Sequence, residues 1–166
     1  MVFFYLDHNT SLKGLLSSLL RQLLSHIEYV PGSVESMYDV FLARGKTPDY
    51  STLLREFLSC ASHFKTVYVL IDALDECAEE SRKVILEFFR DILTHETVKF
   101  KVLGSSRPHL RHIVSLPNST QFMIDAADIE SDVQTYITSK LSSNRRLPQH
   151  LKDKILKTIP DRASGM

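Results

Sequence analysis

The sequence predicts an α/β fold, a parallel sheet covered by helices that runs on into the start of a helical subdomain. Three observations predict it. Short apolar runs alternate with amphipathic stretches at helical spacing, the apolar runs end in polar or charged residues, and the alternation stops near residue 126. A chain of 166 residues suits one core of ordinary size, which places an α/β core over residues 1–125 and the helical segment over 126–166.

The elements follow in order. Residues 2–6 (VFFYL) form a short apolar run of strand type, closed by the turn-like residues 7–10. Leu12, Leu15, Leu16, Leu19, Leu20, Leu23, Leu24 and Ile27 recur at three- and four-residue steps, one apolar stripe of a helix with Asn9 or Thr10 as its N-cap. Pro31-Gly32 ends that unit. A weaker helix is expected over 34–43 and another over 51–64, where Leu53, Leu54, Phe57, Leu58 and Ala61 keep helical spacing. Residues 66–72 (TVYVLID) are apolar on both faces, as in a central parallel strand. Helix 79–93 carries Val84, Ile85, Phe88, Phe89, Ile92 and Leu93 inward, residues 99–104 (KFKVLG) give a third strand, and residues 119–124 a fourth. Beyond that, Ile129, Val133, Tyr136, Ile137 and Leu141 mark one helix, and Leu151, Ile155, Leu156 and Ile159 a second.

Composition narrows the function classes. With 43% hydrophobic and 24% charged residues and a formal net charge of +0, no global field steers nucleic acid or an anionic membrane. No apolar run reaches the roughly 20 residues of a membrane span. Cys60 and Cys77, the two cysteines, make neither a disulfide framework nor a zinc site, and a reducing, cytoplasmic compartment is expected. The seven histidines show no metal-ligand spacing, and the Ser105-Ser106 pair lacks a nucleophile elbow.

Two strand ends carry chemistry. The strand through Ile71 delivers Asp72, Asp75 and Glu76 to its carboxyl end, where ligands bind in open α/β sheets. Asp72 offers the hard oxygen that suits Mg²⁺, and Asp75 or Glu76 an acid to orient or deprotonate an attacking water. The plainer alternative is that these acids, with Glu79 and Glu80, favour the N-terminus of the next helix through its dipole. One α/β step later, Val102-Leu103-Gly104-Ser105-Ser106-Arg107-Pro108 ends a strand in an arginine, whose planar fork matches phosphate oxygens. On neighbouring strands, Asp72 and Arg107 emerge side by side. His109, Arg111 and His112 read as a solvated helix face.

These residues carry a family resemblance. TVYVLIDALDEC resembles the Walker B segment, and VLGSSRP the sensor 1 segment, of NACHT domains, STAND-class P-loop nucleoside triphosphatases. The nephrocystin-like N-terminal type, common in fungal proteins that join a NACHT domain to ankyrin or WD repeats, is the nearest form. VFFYLD, SLLRQLL within residues 17–24 and ILKTIPDRASGM resemble further segments of it. The resemblance implies Mg²⁺ with ATP or GTP as cofactor, Asp72 as the metal ligand, Asp75 or Glu76 as the acid of hydrolysis, and Arg107 with Ser106 at the γ-phosphate. It further implies a nucleotide-switched signalling role.

One part of the pattern is missing. None of the five glycines opens a Gly-x-x-x-x-Gly-Lys-Ser/Thr loop, and Gly45-Lys46-Thr47 reads as an ordinary loop. By the resemblance the phosphate loop would precede Met1, so the sequence is expected to be truncated before Met1 and after Met166. About four charge-assisted hydrogen bonds to phosphate would be absent, roughly 6–12 kcal/mol at ~1.5–3 kcal/mol each. A micromolar site amounts to about 8 kcal/mol. Nucleotide binding by this chain alone is therefore expected to be feeble. The alternative function is a non-enzymatic interaction module, a degenerate NACHT fold or truncated gene product that associates with homotypic or other protein partners.

Overall fold

The computed structural model describes residues 1–110, 116, 118–124, 126–144 and 146–163. It divides into two compact units, Met1–Ser119 and Thr120–Met166. In the first, β1 (Val2–Tyr5), β2 (Thr66–Asp72) and β3 (Lys99–Gly104) form a parallel sheet in the order β1-β2-β3. Between β1 and β2 run α1 (Leu12–Leu24), α2 (Gly32–Ala43) and α3 (Tyr50–Ala61), and between β2 and β3 runs α4 (Glu79–Leu93).

Both crossovers step across the sheet in the same direction. Because parallel crossovers are right-handed, their helices fall on one face. Val2, Val67, Val69, Ile71 and Phe100 of the sheet and Leu15, Leu16, Leu19, Phe57, Ile85, Phe88 and Ile92 of the helices share one buried core. Phe57 stands at its centre, stacked on Phe100 and edge-on to Phe88 at 5.9 Å each. The alternate residues Phe3, Tyr5, Tyr68 and Leu103 are exposed. The expectation that β2 is buried on both faces is thus corrected: its burial alternates, and α1, α3 and α4 share their core with one face of the sheet.

The caps differ in detail from the sequence expectation. Neither Asn9 nor Thr10 caps α1. Ser11 does, accepting from the Gly14 amide at 3.1 Å, while the Thr10 hydroxyl donates to Asp7 at 2.5 Å. The helix stops at Leu24, three residues short of Ile27. At the end of α2, Gly45 takes φ +58°, and Gly45 and Lys46 donate to the carbonyls of Leu42 and Phe41, a left-handed helix stop. Gly45-Lys46-Thr47 is therefore a helix terminus, as its lack of a preceding strand suggests.

The second unit holds α5 (Ala126–Ser143) and α6 (Gln149–Ala163), which pack on one another. The fourth strand expected over 119–124 does not form. Phe122, Met123 and Ile124 are instead exposed at 86%, 53% and 74%. An apolar run becomes a strand only where a neighbour takes its backbone hydrogen bonds. Among the described residues, no helix is long and apolar enough to cross a membrane.

Candidate functional site

The carboxyl ends of β2 and β3 are in register, with Ile71 opposite Gly104, so the two loops that follow leave the sheet together. They are laced by backbone and side chain. Ser105 donates its amide to the Ile71 carbonyl at 3.0 Å and accepts the Leu74 amide on its own carbonyl at 2.9 Å. Its hydroxyl donates to Asp72 Oδ1 and accepts from the Ala73 amide at 3.1 Å. Gly104 makes this approach possible, because a Cβ there would lie 2.9 Å from Leu74 Cδ1, and Leu74 is itself buried.

Ala73 takes φ +61°, a left-handed conformation that costs a residue with a Cβ about 1–2 kcal/mol. The turn lets its amide reach Asp72 Oδ1 at 3.0 Å. The Asp72 carboxylate is exposed, and its Oδ2 accepts no hydrogen bond among the described residues. A hard, water-facing carboxylate oxygen fits a Mg²⁺ ion that takes its remaining ligands from water and phosphate. No group of three or more His, Cys, Asp or Glu side chains able to hold a metal occurs among the described residues.

Asp75 turns the other way. Its Oδ1 accepts the Arg107 amide at 3.0 Å and its Oδ2 lies 3.1 Å from Arg107 Nε. The Asp75 side chain is 8% exposed and that of Arg107 72%. Glu76, next along the turn, is exposed and its carboxylate meets no hydrogen-bond or ion-pair partner among the described residues. Asp72, Asp75 and Arg107 are thus gathered in one place. Ser106 stands apart from the carboxylates, its hydroxyl on the Arg107 carbonyl at 3.2 Å. His109 is exposed on the 3-10 turn Pro108–Leu110, and Arg111 and His112 lie outside the described residues.

Two further residues escaped the sequence reading. Ser105, not Ser106, meets Asp72, because it continues the pleat of β3. Arg82, in the second turn of α4, is buried. Its Nε donates to the Leu74 carbonyl at 2.8 Å, and one terminal nitrogen reaches the carbonyls of Cys77 at 2.9 Å and Asp75 at 3.5 Å. It thereby grips the acidic turn from beneath. Glu79 and Glu80 do occupy the first turn of α4, where its dipole favours them. The Glu79 carboxyl is held below its ordinary range by the Lys83 ammonium 2.8 Å away.

The family model described as Nephrocystin 3, N-terminal matches residues 1–107, an interval that covers both strand ends and closes on Arg107. No curated protein and no solved structure matches the chain.

Proposed function

Since the chain belongs to the nephrocystin 3 N-terminal family, we propose that residues 66–107 form the Mg²⁺- and γ-phosphate-facing half of a nucleoside triphosphate site of the NACHT, STAND-class kind. One observation carries the reading. A water-facing carboxylate, Asp72, and a guanidinium, Arg107, leave adjacent in-register strands and are tied into one cluster through Ser105 and Asp75. Mg²⁺ bound there would neutralise charge on the phosphate oxygens. Asp72 would hold the ion, and Ser105 fixes the rotamer of that carboxylate by occupying Oδ1. Arg107 would meet the terminal phosphate, with Ser106 at its shoulder. The acidic turn would supply the carboxylate that orients the attacking water. The two buried free cysteines suit a cytoplasmic setting.

Affinity without a phosphate loop is expected in the millimolar range or weaker, for the energetic reason given above. The test is a nuclear magnetic resonance titration of the ¹⁵N-labelled chain with Mg·ATP and Mg·GTP to tens of millimolar, and with trace Mn²⁺ as a broadening probe. Shifts confined to residues 72–76 and 104–107, lost in Asp72→Asn, are expected. Shifts spread over the surface, or broadening indifferent to Asp72→Asn, would remove the reading.

The exposed residues Phe3, Tyr5, Tyr68 and Leu103 favour a second reading, a module that associates through its sheet with another copy of itself. Sedimentation velocity over a hundredfold concentration range checks it. Association abolished by Leu103→Lys supports it, and a monomer throughout dismisses it.

A further inference from the structure

We propose that Asp75 is a positioning residue for Arg107 and not the acid that handles water, which leaves Glu76 as the free carboxylate of the turn. The inference rests on the nucleotide-site reading and divides the labour within it. Both oxygens of Asp75 are spent on one neighbour, Oδ1 on the Arg107 amide and Oδ2 on its Nε. A carboxylate that is 8% exposed and committed in this way has little room for a water. Glu76, one residue on, is exposed and uncommitted among the described residues.

The edge of the guanidinium that Asp75 takes matters as much as the contact itself. It holds Nε, the root of the fork, and no hydrogen bond among the described residues occupies the terminal nitrogens of Arg107. Those two nitrogens form the end-on fork, one of the ways a guanidinium meets an oxyanion bidentately. An ion pair at Nε together with a hydrogen bond at the Arg107 amide fixes both the start of the side chain and its base. The tips remain free to face an anion.

Asp75 can serve as an anchor because its own backbone is held from two sides. Leu74 before it is buried, with its amide on the Ser105 carbonyl and its carbonyl on Arg82 Nε. Beyond it, the Cys77 carbonyl receives the terminal nitrogen of Arg82. A guanidinium under the turn draws the carbonyls inward, and the side chain of residue 76 is left toward solvent.

The test uses the 166-residue chain. The Nε–Hε resonance of Arg107 and the hydrogen exchange of its backbone amide are followed in wild type, Asp75→Asn, Asp75→Ala and Glu76→Gln. Amides of β2 serve as a control for global stability. Asp75→Asn is expected to move the Nε–Hε resonance and speed its exchange at least about tenfold. Asp75→Ala should also release the backbone amide, and Glu76→Gln should leave both signals in place. Should Asp75→Asn unfold the chain, Arg107→Gln reads the pair from the exposed end, with faster exchange expected at the amides of 75–77. Equal disturbance by Glu76→Gln, or an unmoved Arg107 in the Asp75 variants, overturns the proposal. So does an Mg·ATP titration in which Asp75→Asn binds as tightly as wild type. If the Arg107 signals respond as expected while no variant and no wild-type sample shows Mg·ATP shifts, the nucleotide reading fails and the brace between Asp75 and Arg107 stands.

Discussion

The two faces of the sheet are built from similar residues and live in different surroundings. On one side Val2, Val67, Val69, Ile71 and Phe100 are buried under α1, α3 and α4. On the other, Phe3, Tyr5, Tyr68 and Leu103 are exposed at 48%, 68%, 46% and 63%, and Lys101 lies over the Tyr68 ring at 5.4 Å. Apart from Lys99 and Lys101 on the exposed side, apolar character does not distinguish them. What does is the direction in which the chain winds: two right-handed crossovers taken in the same sense stack α1, α3 and α4 on one side.

The largest effect expected from this difference lies at Phe57. Removing its ring opens a cavity between Phe88 and Phe100, and Phe57→Ala is expected to cost about 3–5 kcal/mol. The same truncation at Phe3, which touches Tyr5 edge-on at 5.9 Å but stays half in water, is expected to cost about 1 kcal/mol or less. Urea unfolding followed by circular dichroism measures both. A Phe3→Ala cost as large as that of Phe57→Ala would mean that the second face is covered in solution, and the contrast between the faces would be lost.

How much of this was legible follows from where each signal resides. The leucine stripe of α1 and the runs of β1, β2 and β3 are local patterns, and they place Asp72 and Arg107 at neighbouring strand ends once the sheet is taken as parallel. The run at 119–124 carries the same local pattern yet makes no strand, because pairing depends on a neighbour that composition does not encode. Within the site the missing information is again non-local. Whether Asp75 or Glu76 turns toward Arg107 depends on the left-handed Ala73 and on the grip of Arg82, neither of which has a spacing signature. Ser105 was open to inspection in principle, since the alternation of β3 continued one residue further puts its hydroxyl beside Asp72 and turns Ser106 away.

A smaller effect sharpens the comparison from inside the covered side. Glu56 of α3 is 3% exposed, and its Oε2 has no hydrogen-bond partner among the described residues. Its Oε1 meets Arg55 Nε at 3.1 Å, but the Arg55 side chain is 70% exposed. An ion pair whose cation lies largely in water contributes little, whereas a buried acceptor left without a donor costs about 1–3 kcal/mol. Glu56→Met preserves length and helix propensity and is expected to raise stability by about 1–3 kcal/mol, seen as a higher urea midpoint at unchanged slope. A second measurement keeps the cause in view. Burial first, and the Glu56 charge second, push the Cys60 thiol up to about 11. Removing the charge should lower that value partway while burial keeps it above the ordinary thiol range, which the pH dependence of Cys60 alkylation reads. Should Glu56→Met instead destabilise the chain, the carboxylate must have a partner in solution. The side of the sheet that looks closed would then be a place where something else binds.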